Sequence, residues 1–277
     1  MTAWGTTVSG AYDLYVQARG MLGGYQGEHD AQRAVELFKQ AIALDPAFAL
    51  ARAGLADAYL ELYWSDKDPR TVEEAVASAR RALEPNDRLA EVHTTLGATS
   101  QTTGRYEDAV REYHLALELN PRSSDALSGL AKAFVGLGKV ADAEATYKRA
   151  IAARPEYWVT HNRLGNFYVG LGRYKEAEKQ LKEVIALAPN NVWGYNDLGA
   201  LYFTLGRYDQ SREMFERALA IRPSYEIYSN LGTLAFIQRD WARAVASLEH
   251  ARALDDRDYV MWGNLGIGYH WLGGHEE

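Results

Sequence analysis

Small and apolar residues recur along this chain at offsets of three and four, the spacing that gathers side chains on one face of a helix. The recurrence can be indexed on proline. Pro121, Pro155, Pro189 and Pro223 stand 34 residues apart and are four of only seven prolines. With that proline set at position 32 of a segment, position 7 holds Leu96, Leu130, Leu164, Leu198, Leu231 and Leu265. Position 8 is always small: Gly97, Ala131, Gly165, Gly199, Gly232 and Gly266. Position 20 holds Ala109, Ala143, Ala177, Ser211 and Ala244, and position 27 holds Ala116, Ala150, Val184, Ala218 and Ala251. Positions 4, 7, 8 and 11 lie on one face and predict a first helix, A. The small residues at 8, 20 and 27 predict close approach of a second helix, B. A glycine at position 15 (Gly104, Gly138, Gly172, Gly206, Gly273) suits the left-handed end of helix A. The proline at 32 ends helix B. A short turn makes each pair an antiparallel hairpin.

The segments fall at 11–48, 49–89, 90–123, 124–157, 158–191, 192–224 and 225–258, with a terminal half segment at 259–277 whose helix A covers 259–272. They read as one continuous array over 11–277. Pro46 precedes Pro121 by 75 residues, two periods plus 7, and the extra 7 read as an insertion in a turn, YWSDKDP at 63–69. The sixth segment is one residue short, Asp256 stands where the seventh would have proline, and GGYQGEHDAQ lengthens the first turn. Residues 1–10, MTAWGTTVSG, have no basic start and no apolar core. They are not a signal peptide and read as a disordered lead.

The pattern resembles the tetratricopeptide repeat, as in GNFYVGLGRYKEAEKQLKEVIALAPNN at 165–191. The resemblance runs over nearly the whole chain. It implies an all-α fold, a right-handed superhelical solenoid of helix-turn-helix units, and a protein that holds a peptide or protein segment rather than catalysing a reaction. A second resemblance lies in AYDLYVQARGML and AVELFKQAIALDPAFALARAGLADAYLELYW. These are similar to the repeat regions that follow the catalytic or DNA-binding part of some bacterial kinases, cyclases and winged-helix regulators. That resemblance implies a docking module of a larger protein.

Composition narrows the partner. Apolar residues make up 47%, enough for a folded chain, and Lys plus Arg (30) fall short of Asp plus Glu (37), a formal charge of -7. A mildly acidic chain lacks the field that draws proteins to phosphate backbones or anionic lipid, so neither nucleic acid nor a membrane is the expected partner. No apolar run is long enough to span a bilayer. The chain has no cysteine, which excludes disulfides, thiolate metal sites and cysteine nucleophiles but fits reducing and oxidising compartments alike. The default expectation is a soluble, cytoplasmic setting.

No catalytic arrangement survives inspection. The seven histidines include no HExxH, and His270 with His275 reads as a solvated pair. No GxSxG occurs. GLGK at 136–139 is followed by Val140 where a phosphate loop needs Ser or Thr. DDRD at 255–258 lacks the glycine and distal glutamate of a calcium loop. Gly263, Gly266 and Gly268 follow no strand, so they are not a dinucleotide fingerprint. No enzyme activity, metal or cofactor is expected.

At about 100° per residue, positions 2, 5, 6 and 9 of helix A point away from its packing face. The resemblance implies that they line the concave groove. They read Asp125, Ser128 and Lys132; then Asn162, Arg163 and Asn166; then Trp193, Asn196 and Asp197; then Glu226 and Asn230; then Asn264. An asparagine both donates and accepts, so a row of them could grip an extended backbone. The row is similar to the asparagine rows of the O-linked N-acetylglucosamine transferase repeats. The alternative is a tolerated polar residue on a wet surface. The expected peptide-binding residues are Lys132, Asn162, Asn166, Trp193, Asn196 and Asn230. Trp193 either anchors a ligand or fills a gap between A helices, whereas Tyr168, Tyr202 and Trp262 read as core. Chaperone-binding members of the family clamp a carboxylate with lysines and asparagines; here Asn162, Asp197 and Glu226 stand in those places, and two acids would repel it. The apolar residues of the last helix A, Trp262, Leu265, Tyr269 and Leu272, have no helix B to cover them. They predict a fragment of a longer protein whose end either frays or self-associates with another copy.

Overall fold

The structure is a computed structural model and describes residues 5–23 and 28–273. Among these, fifteen helices follow one another and no strand occurs. They are α1 (Ser9–Gly23), α2 (Glu28–Leu44), α3 (Ala49–Asp66), α4 (Pro69–Leu83), α5 (Ala90–Thr102), α6 (Tyr106–Leu119), α7 (Ser124–Gly136), α8 (Val140–Ala153), α9 (Trp158–Gly170), α10 (Tyr174–Leu187), α11 (Val192–Thr204), α12 (Tyr208–Ile221), α13 (Tyr225–Ile237), α14 (Trp241–Leu254) and α15 (Tyr259–Gly273). Odd-numbered helices are the A helices, and even-numbered ones the B helices. Packing gathers them into two compact units, Met1–Arg154 and Pro155–Glu277. Within each unit, each helix A packs on the helix B and on the helix A that follow it, α15 alone having neither after it among the described residues.

The small positions explain that closeness. At position 20, Ala75, Ala109, Ala143, Ala177, Ser211 and Ala244 are fully buried, as are Ala82, Ala116, Ala150, Val184, Ala218 and Ala251 at position 27. A bulky side chain four residues into this stripe lies across the position-8 glycine. A Cβ added at Gly97 would stand 2.7 Å from Tyr113, at Gly199 2.7 Å from Phe215, and at Gly232 2.6 Å from Leu248. The A-to-B turns close with a left-handed residue, Gly104, Gly138, Gly172 and Gly206 having φ of 70–75°. Arg239 takes that conformation (φ 57°) in the seventh repeat. A cation at position 16 then lies over the aromatic ring at position 11: Lys139 over Phe134, Arg173 over Tyr168 at 4.5 Å, and Arg207 over Tyr202 at 5.7 Å.

Several expectations need correction. The extra residues at 63–69 lie only in small part in a turn. They lengthen α3 to Asp66, and the turn is only Lys67 and Asp68. Nothing in ELYWSD stops a helix. The stop comes from Lys67 in the left-handed region, whose N–H donates to the Tyr63 carbonyl, and from Asp68, which caps α4 ahead of Pro69. Residues 5–10, read as part of a disordered lead, pack instead: Thr6 is buried and its hydroxyl donates to Asp45 at 2.5 Å, and α1 begins at Ser9. Residues 1–4 and His275 lie outside the described residues. Tyr168 and Tyr202 are core, but Trp262 is exposed: Arg252 of α14 lies over its ring, yet no helix B follows α15 among the described residues. Along α15, Met261 and Leu265 are buried, whereas Trp262, Tyr269 and Leu272 are exposed and the position-8 Gly266 has open space around it.

Candidate functional site

In the second compact unit, the polar face of the A helices is stitched together by side-chain amides. Asn162 on α9 donates through Nδ2 to Asp197 Oδ2 on α11 at 2.6 Å. Asn166, one turn further along α9, donates to the same oxygen at 3.0 Å and to Asn162 Oδ1 at 3.3 Å. One helix further on, Asn230 on α13 donates to Asn196 Oδ1 on α11 at 3.0 Å. The positions explain the pairing. Position 5 or 9 of one helix A faces position 6 of the next, so an asparagine at the first finds a polar partner at the second. Four of the expected asparagines are thus brought into two clusters that share α11.

Asp197 is the hub of the larger cluster, and both of its partners are neutral amides. Its second oxygen, Oδ1, accepts nothing among the described residues. Trp193 lies one turn before it on α11, so the two side chains share a face. Its side chain is 49% exposed, and no ring, cation or hydrogen-bond partner engages it among the described residues. Glu226, at the same position of α13, is also exposed, while Asn264 on α15 is half-buried.

Lys132 belongs to the first compact unit, where a different network occupies the same register. Asp57 on α3 accepts from Arg19 on α1 at 2.8 Å and from the Thr95 hydroxyl on α5 at 2.9 Å. Desolvation pushes the Asp57 carboxyl above the ordinary carboxylate range, against the opposing pull of Arg19. The lengthened α3 carries Trp64, half exposed, with the Lys67 ammonium 4.2 Å and the Lys132 ammonium 5.8 Å from its ring centroid. Lys132 therefore sits beside an indole rather than in the asparagine row. Ser128, one turn before it, is buried, with no hydrogen-bond partner for Oγ. Asp125 is exposed.

The sequence reading missed Asp197 as an anchor, the Arg19–Asp57–Thr95 network, and Trp64. Register could have found the first two, since Asp57 and Thr95 occupy positions 9 and 6, as Asn166 and Asp197 do. It also passed over His93 and His161 at position 4. Each spans a turn through both ring nitrogens: His93 to Glu112 and the Asp87 carbonyl, His161 to Gln180 and the Pro155 carbonyl, all at 2.8–3.0 Å. These are structural braces. Among the described residues no His, Asp and Glu group converges as a metal site would require. None of these helices is long and apolar enough to cross a membrane.

Comparison with known proteins agrees with this geometry. Three family models, each described as tetratricopeptide repeat, match residues 102–160, 158–224 and 196–259. Together they run from 102 to 259, more than half of the 277 residues. The chain belongs to the tetratricopeptide-repeat family. A tetratricopeptide-repeat protein from Parabacteroides merdae is 19% identical, with a TM-score of 0.60 over 95% of this chain and 100% of that one. A thermophilic relative from Thermus thermophilus is 25% identical, with a TM-score of 0.54 over 65% of this chain and 98% of that one. A monomeric IFIT1 mutant solved with Gppp-AAAA is 16% identical, with a TM-score of 0.74 over 95% of this chain and 68% of that one. These likenesses show the fold. No curated protein matches the sequence.

Proposed function

We propose that this protein is a non-catalytic scaffold that holds an extended peptide or protein segment against the polar face of its A helices, chiefly along α9, α11 and α13. The fold supports a protein-interaction module in general, and proteins of this family are generally non-catalytic scaffolds. The observation that carries the finer reading is the pair of amide clusters on successive A helices. The amides are fixed by one another, so they lose little side-chain entropy on binding. Each cluster keeps groups able to meet a peptide backbone: Asn196 Nδ2 donates to no protein atom among the described residues, and Asn166 and Asn230 Oδ1 accept from none. Trp193 supplies an exposed aromatic surface beside them, the kind of side chain that dominates binding energy when covered.

The test is a variant carrying Asn162→Ala, Asn166→Ala, Trp193→Ala and Asn196→Ala together. Capture of peptides from a random-sequence display library is expected to fall to background, with the helical circular dichroism signal retained. Undiminished capture by a folded variant would refute the placement.

A further inference from the structure

We propose that the segment taken by the second compact unit is basic, and that Asp197 and Trp193 together receive one of its cationic side chains, arginine in preference to lysine. This rests on the reading that the amide face is a binding surface, and it names the chemistry of the occupant.

An ionised carboxylate offers about four acceptor sites, and charge-assisted donors fill them best. Asp197 has two donors, both neutral amides and both on Oδ2. Its charge is fixed in place and left uncompensated, with Oδ1 open. The amides hold the carboxylate in one orientation, so an incoming cation meets a pre-set acceptor. Other carboxylates in the same unit are treated differently. Glu178 is drawn below its usual range, chiefly by its hydrogen bond with Lys182, and also accepts from Tyr202 and Arg207.

Trp193 provides the second half of the receptor. A residue and the one four places on project from the same side of a helix, with Cβ atoms roughly 5–6 Å apart. The indole is half exposed and Asp197 half-buried. An acid and a half-exposed indole at that separation suit a guanidinium, which forks to a carboxylate while its plane lies on the ring. The same stacking appears inside this protein, where the Arg173 guanidinium lies 4.5 Å from the Tyr168 ring centroid and Arg207 lies over Tyr202 while donating to Glu178. Glu226 repeats the acidic character one helix further on, so a chain with further basic residues gains and an acidic one is repelled.

The test uses the full chain and three labelled peptides of equal length, in which alternate residues are arginine, glutamine or glutamate. Fluorescence anisotropy at low salt is expected to show the arginine peptide binding about ten-fold more tightly than the glutamine peptide, with the glutamate peptide weakest. Asp197→Asn keeps an acceptor for Asn162 and Asn166, so the fold is retained. It should bring the arginine peptide to the level of the glutamine peptide, and Trp193→Ala should weaken arginine binding more than glutamine binding. Equal binding of the arginine and glutamine peptides overturns the proposal, as does an arginine preference that survives Asp197→Asn. If the quadruple alanine variant still abolishes charge-blind binding, the amide face stands and only its basic preference falls. If no peptide binds, or the quadruple variant binds all three as before, both readings fall.

Discussion

Gly199 and Gly266 occupy the same position of their repeats, and the sequence cannot tell them apart. A Cβ on Gly199 would lie 2.7 Å from the Phe215 ring, whereas one on Gly266 would meet nothing within 4 Å. Gly199→Leu should therefore destabilise by about 1–3 kcal/mol through overpacking. Gly266→Ala should be neutral or stabilising by up to about 1 kcal/mol, the usual gain of alanine over glycine in a helix. Urea unfolding of the two variants checks this, and equal shifts would refute the register. At this scale the sequence was legible wherever a residue is small for a steric reason, as at Ala109 or Ala218. It was illegible where a polar residue does structural work. His93 and His161 sit 68 residues apart in the same geometry, but nothing in a histidine's identity announces that both ring nitrogens will be used inside the fold. The asparagine row was legible as a row. The carboxylate that organises it was not, because charge pattern alone does not reveal which amides reach it.

Among the elements, helix ends were read well where glycine or proline marks them and poorly where they are made by side chains. The long α3 is one case. The start of α15 at Tyr259 follows an acidic run with no glycine or proline, and there the repeat period alone placed it correctly. Asp258 accepts from the Val260 and Met261 N–H groups at 2.8 and 3.4 Å, and also from the Tyr225 hydroxyl at the start of α13. The Tyr225 hydrogen bond draws the Asp258 carboxyl below its ordinary range, while burial and that same bond push the Tyr225 phenol up to about 12. A depressed carboxylate pKa stabilises the fold fully above the unfolded value, near 4. That contribution disappears as pH falls through the lower folded value. Opening of α15, followed by hydrogen exchange, should therefore rise on acidification only below about pH 4. Asp258→Ala should raise it at neutral pH by loss of the cap, about 1 kcal/mol. Asp258→Asn should cap nearly as well but lose this acid dependence. An α15 whose exchange is the same in all three proteins would refute the role given to Asp258.

At the scale of the whole molecule, the 34-residue period says how neighbouring helices pack but not where the chain divides into compact units. Pro155 fills the same position as Pro121, Pro189 and Pro223, so nothing in the pattern marks the division between Arg154 and Pro155. Each compact unit holds apolar clusters of its own. The first has those around Phe38 and Phe48 and around Tyr113 and Leu127; the second has those around Tyr195 and Phe215 and around Leu248 and Met261. In a repeat protein, stability is close to a sum of repeat terms and nearest-neighbour terms, so damage should fade with distance along the stack. Gly199→Leu strikes between α11 and α12, inside the second cluster pair. Its effect on hydrogen exchange should be largest in α11, α12 and α13, smaller in α15, and absent from helices before Arg154. Sub-global opening of this kind has a lower free energy than global unfolding. A urea titration should accordingly separate loss of protection in the two units further in the variant than in the parent. Protection lost equally and together across both units would mean that the chain unfolds as one cooperative body, and the division into two cores would then carry no energetic weight.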